Sequence, residues 1–157
     1  MNHLEIQTVV RIYAEKELPE EDRQTLLQAR QALSLAYAPY SRFQVGAAIR
    51  MSDGQIVRGS NQENAAFPLG ICAERIALAA RSVLAPNGTI ISIAITSAEK
   101  HPQKVISPCG MCRQALLEAE LRQNHPIRIV LDGSDQTVYV LNSAADLLPL
   151  PFSSGNL

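Results

Sequence analysis

A three-layer α/β/α sandwich on a mixed five-stranded sheet is the fold this sequence predicts, and three observations lead there. The chain has 157 residues, enough for one well-buried core and too few for two. Apolar residues make up 46% of it, which argues against global disorder. The third observation is order: a helix pattern, a strand hairpin, then helices and strands in alternation. That order places helices on the faces of one mixed sheet. Residues 1–157 are accordingly read as a single domain.

Taken in order, Leu4 to Tyr13 partly alternate apolar and polar side chains, and Val9, Val10 and Ile12 favour a strand. Pro19 followed by Glu20, Glu21 and Asp22 reads as a helix start, because proline fits a first turn and carboxylates complement the positive end of the dipole. The helix continues through Leu26, Ala29 and Leu33 to Ala36, and Pro39 stops it. Phe43 to Met51 and Gln55 to Gly59 form a hairpin around Ser52-Asp53-Gly54. A second helix covers Cys72 to Val83, and Thr89 to Thr96 is an isoleucine-rich strand. A third helix opens near Cys109 and runs to Leu121. Strands at Ile127–Leu131 and Thr137–Leu141 follow, then a short helix from Ser143 to Leu148.

Fourteen basic and fifteen acidic residues leave a formal net charge of -1. The basic residues form no run, so the electrostatic footprint of a nucleic-acid binder is missing. No apolar stretch approaches the ~18 residues of a membrane span, and the first residues lack the layout of a secretory signal. A soluble, cytoplasmic protein with no nucleic-acid or membrane partner is expected. Three cysteines make a poor disulfide framework, and a reducing compartment would keep them as thiols.

Their placement suggests a metal instead. Cys109 and Cys112 stand in Pro108-Cys109-Gly110-Met111-Cys112 at a helix start, where i and i+3 reach the same side of one turn. Cys72 opens another helix. Thiolates at helix N-termini lie where the dipole favours negative charge. Zinc accepts such a donor set, and structural zinc sites close with four protein ligands. Only three cysteines are available, and His3, His101 and His125 sit at no obvious ligand spacing, His101, eight residues before Cys109, being the least remote alternative. The fourth position is left to water, as in a catalytic site. Glu74, two residues after Cys72, is the carboxylate placed to move protons there. The plainer readings are unligated thiols, or a first-turn carboxylate serving only the helix dipole. They do not explain why the three cysteines and Glu74 occur together.

Cys72-Ala73-Glu74-Arg75 and Pro108-Cys109-Gly110-Met111-Cys112-Arg113-Gln114 resemble the two zinc motifs of the cytidine deaminase family. The likeness extends over Pro39 to Gln114, and more weakly to Phe152. It implies one zinc per chain held by Cys72, Cys109 and Cys112, with Arg75 supporting the ligand sulfurs through charge-assisted hydrogen bonds. It implies hydrolytic deamination at C4 of cytidine and deoxycytidine to the uridines and ammonia, with Glu74 as proton shuttle. By the same likeness Phe43 flanks the base, Ala73 contacts the substrate, and Asn61 and Glu63 bind the sugar hydroxyls. The all-cysteine ligand set resembles that of the short homotetrameric members, in which a neighbouring subunit completes each site; Phe152 is the residue implied. Phe67 departs from the tyrosine many relatives carry. Residues 1–18 exceed the family pattern and form an N-terminal extension of unassigned role.

Overall fold

The computed structural model describes residues 1–102 and 105–156. Its strands are β1 (Arg11–Ala14), β2 (Val45–Met51), β3 (Ile56–Ser60), β4 (Ile90–Ser97), β5 (Arg128–Asp132) and β6 (Thr137–Leu141). The helices are α1 (Glu20–Ala32), α2 (Ala73–Leu84) and α3 (Gly110–Gln123). One mixed sheet runs in the order β1-β6-β5-β4-β2-β3. Only β4 and β5 are parallel; the other neighbours are antiparallel.

The expected five strands are therefore six. The added strand comes from the N-terminal extension: Arg11 pairs with Val140 and Ala14 with Thr137. It is shorter than the Leu4–Tyr13 span that alternation suggested, because β6 offers only five residues as a template. Residues 1–10 belong to no helix or strand and are exposed. The first helix likewise ends early as an α-helix, its last turn tightening into a 3-10 turn over Leu33–Leu35. The short helix expected at 143–148 is a 3-10 turn over Ala144–Leu147.

Alternation along the strands sends side chains into two separate cores, the basis of the three layers. Leu26 and Ala29 of α1 pack with Ala48, Ala94, Val130, Val138 and Val140 on one face. On the other, Ala73 and Ala77 of α2 and Leu116 of α3 join Ala47, Ile49, Ile93, Ile95 and Ile129. Two glycines set how close the helices come. A Cβ on Gly46 would lie 2.1 Å from the Ala29 carbonyl oxygen of α1. One on Gly59 would lie 2.4 Å from the Ala73 carbonyl oxygen and 2.5 Å from the Ala77 nitrogen of α2. The first turn of α2 is thus pressed directly against the β3 backbone, which fixes where its N-terminus points.

Candidate metal centre and active site

Cys72 and Cys109 are the residues immediately before α2 and α3, each with an extended backbone (φ -70°, ψ 154° and φ -66°, ψ 166°). Neither is on a helical face. The spacing rule that separates positions two apart therefore does not keep Cys72 from Glu74. Cys112 completes the cluster from the first turn of α3, fully buried, while Cys72 is half-buried and Cys109 exposed. The Cys72 and Cys109 sulfurs lie 3.8 Å apart, and those of Cys109 and Cys112 3.6 Å apart. All three fall within 4.8 Å of one another. Tetrahedral zinc with sulfur ligands at ~2.3 Å holds those sulfurs about 3.8 Å apart. The donor set therefore fits zinc in chemistry and in spacing, without any rearrangement of the backbone.

The electrostatics agree. Sulfhydryl donation from Cys112, then from Cys109, together with the charge of Arg75, draws the Cys72 thiol down to about 6 against the cost of its burial. Cys112 is pushed up, as the donor to Cys72 and as a buried group close to the Glu74 charge. Glu74 is 4% exposed. Burial raises its carboxyl above the ordinary range, and the neighbouring Cys72 charge adds to this, while a backbone hydrogen bond and the Cys112 sulfhydryl oppose it. A carboxyl raised in this way holds a proton more readily than an exposed one, which suits a proton carrier. Arg75 contributes its charge to the lowering of the Cys72 thiol.

The segment expected to bind sugar is tied to both neighbours. Gln62 and Ile71 exchange two backbone hydrogen bonds of 2.9 Å, which fastens residues 61–63 beside the approach to Cys72. Asn61 donates from Nδ2 to the Phe43 carbonyl at 2.9 Å and accepts from the Val45 N–H at 2.8 Å. Each amide atom retains capacity for one further hydrogen bond. Glu63 accepts from the Tyr40 N–H at 2.9 Å and from the Ser41 N–H and hydroxyl. Those donors, the Ser41 hydroxyl first, hold its carboxyl below the usual range. Glu63 lines a cavity of about 430 Å³ with Tyr40, Ser41, Asn64, Phe67 and Gly70. Phe67 meets Tyr40 edge to face at 6.1 Å. Phe43 is half-buried, and the Ala73 side chain is wholly enclosed in the core.

Phe152 is 59% exposed and lies by α3, where its carbonyl accepts from Gln114 Nε2 at 2.9 Å. Arg113 secures the same region, donating to the carbonyls of Pro108 and Leu147 and to the Ser107 hydroxyl. Sequence reasoning missed Glu120 altogether. Its carboxylate, 8% exposed, accepts from the N–H groups of Ile127, Ala144 and Ala145 and from the Ser143 hydroxyl. The signal was present: Glu120 follows Leu116 and Leu117 on the buried stripe of α3, where a carboxylate requires partners.

Comparison with known proteins agrees with this geometry. Residues 19–125 match the family model described as the cytidine and deoxycytidylate deaminase zinc-binding region. The cytidine deaminase of Halalkalibacterium halodurans is 40% identical over 133 residues, covering 84% of this chain and 89% of the relative. That of Mycobacterium tuberculosis is 44% identical over 103 residues, 64% of this chain and 74% of the relative. Among solved structures, the cytidine deaminase of Burkholderia pseudomallei superposes with a TM-score of 0.70 at 38% identity, covering 82% of this chain and 97% of the other. The zinc-spaced thiols, the buried glutamate beside them and this shared sandwich have one reading: the chain belongs to the cytidine and deoxycytidylate deaminase family.

Proposed function

We propose that this protein hydrolyses cytidine and deoxycytidine to the corresponding uridines and ammonia, using one zinc ion held by Cys72, Cys109 and Cys112. The observation that carries the reading is the convergence of two helix N-termini. They bring three sulfurs to zinc spacing with Glu74 buried alongside. Zinc, when bound, supplies Lewis acidity that lowers the pKa of water from ~15.7 toward neutrality.

Glu74 accepts a proton from the attacking water and passes it to pyrimidine N3, then takes the proton of the new C4 hydroxyl and passes it to the departing amino group as the C4 carbonyl forms. Its burial favours the neutral form, which helps it hold the proton it takes up. Phe43 walls the base. Asn61 and Glu63, already fixed by the backbone of residues 40–45, present their remaining hydrogen-bonding capacity to the ribose. Arg75 offsets the charge gathered by three thiolates. Fixing these groups before substrate arrives reduces the reorganisation left for the transition state.

A homotetramer is the assembly that suits this surface, with Phe152 of each chain closing over a neighbour's site. Tyr40, Phe67, Leu69, Ile71, Met111 and Phe152 are all exposed around the site-bearing end of the chain. Large apolar side chains clustered in this way favour burial by a partner. Among the described residues no helix is long and apolar enough to cross a membrane. Three thiols reserved for metal suit the reducing cytoplasm, where the reaction would serve pyrimidine salvage.

Ultraviolet absorbance of purified protein with cytidine, run beside Glu74→Gln with metal analysis, tests the proposal. Turnover by the wild type is expected, with a loss of roughly 100-fold or more in the variant while zinc is retained. Zinc present without turnover of either nucleoside would overturn the substrate assignment.

A further inference from the structure

The N-terminal extension contains the edge strand β1, and among the described residues its second edge has no partner in the sheet. Unprotected strand edges are templates for pairing with another chain. The residues leading into β1 carry a run of exposed apolar side chains: Leu4 is 77% exposed, Ile6 46%, Val9 61%, Val10 47% and Ile12 63%. All but Val9 occupy even positions, so in an extended chain those four share one face and Val9 lies on the other. The structure gives that face a direction. Ile12 pairs with Tyr139, which packs on the α2/α3 side of the sheet. Tyr13 packs on the α1 side.

The sequence of this segment is complementary to itself. Run antiparallel against an identical copy and centred on Thr8, it sets Glu5 opposite Arg11, Leu4 opposite Ile12, and Ile6 opposite Val10. Thr8 then meets the Thr8 of the copy. The one opposite-charge match is made twice by the two-fold axis, and apolar residues meet apolar residues on one face. Within the chain, Thr8 only touches the Asp146 carbonyl at 3.3 Å, and Glu5 accepts from Gln7. These contacts are easily exchanged for a strand ladder.

We propose that residues 4–12 form an isologous interface with a second copy of this chain, pairing antiparallel about Thr8 and joining two sheets edge to edge. The interface is separate from the metal centre and does not depend on the reaction assigned to it. The occupant is a second copy, because an identical strand supplies the arginine and the glutamate in the required mirrored order.

The register makes the test specific. In zinc-loaded full-length Thr8→Cys protein at low micromolar concentration, mild oxidation with diamide should give a disulfide-linked dimer on a non-reducing gel. Wild type, run alongside, reports any contribution of the native cysteines. Adding Glu5→Arg places like charges opposite each other twice and should slow cross-linking roughly tenfold. Adding Arg11→Glu to that double variant restores the opposite-charge pairs and should restore the rate. Failure of Thr8→Cys to cross-link, or cross-linking at a rate indifferent to both charge changes, would overturn the proposal.

Discussion

Asp132 ends β5 with its side chain 1% exposed, yet its carboxylate meets two cations and a hydroxyl. Arg30 donates to both of its oxygens, at 2.9 and 2.8 Å. Lys100 lies 2.6 Å away, and the Thr96 hydroxyl donates at 2.6 Å. Arg30 also grips Glu15 with two hydrogen bonds of 2.8 Å, so residues from the extension, α1, β4 and β5 share one charged network. Burial alone would raise the Asp132 carboxyl; Arg30, Lys100 and Thr96 together bring it below its ordinary value. A carboxyl held low when folded binds fewer protons than the same group unfolded, near ~3.9. Its contribution to stability is complete above that value and disappears as pH falls through the folded one. Asp132→Asn should therefore lose roughly 3 kcal/mol at neutral pH. The deficit should narrow in acid, as denaturant titrations between about pH 2 and 7 would register. Side chains with chemistry of their own were readable in advance, Cys72, Glu74, Cys109 and Cys112 among them. Asp132 was not, because its partners come from positions 30, 96 and 100 and only the fold assembles them.

Elements show the same division. The starts of α2 and α3 could be placed to within a residue, because the metal motif and the helix N-terminus are the same feature. The end of α2 was equally legible, at Leu84 against the expected Val83, but that of α3 was less so: it runs on to Gln123 and stops where Asn124 adopts a left-handed φ of 49°. Asparagine tolerates that conformation, but nothing in the apolar pattern marks the position. Gly59 was read only as the end of a hairpin strand, although its missing side chain decides how α2 sits on β3. Gly59→Ala should force the first turn of α2 outward and carry Cys72 and Glu74 with it. The expected result is a fall in thermal midpoint together with weaker zinc retention against a chelator. An alanine at exposed Gly110, where a Cβ would meet nothing within 4 Å, should change neither through steric conflict.

At the scale of the molecule, the layering was legible and the strand count was not. Three layers follow from alternation and element order, which are local properties of the chain. The sixth strand depends on β1 finding β6 across more than a hundred residues of intervening sequence, and alternation alone carries no information about that partner. Subunit assembly is another property of this kind. If Phe152 closes a neighbour's site, Phe152→Ala should raise KM for cytidine by roughly tenfold while the metal content stays unchanged. Mixing that variant with an excess of inactive Glu74→Gln subunits should then recover part of the lost affinity, since the Glu74→Gln chains donate an intact Phe152 to active neighbours.

One turn of α3 serves two masters. Cys112 belongs to the metal cluster, while Arg113 and Gln114, the next two residues, hold the Leu147 and Phe152 carbonyls. Zinc loading and docking of the C-terminal tail therefore draw on the order of the same few peptide units. If zinc strengthens tail docking through this turn, reciprocity requires that a docked tail strengthen zinc binding by the same factor. A probe on the tail would then report metal occupancy, through a turn that both share.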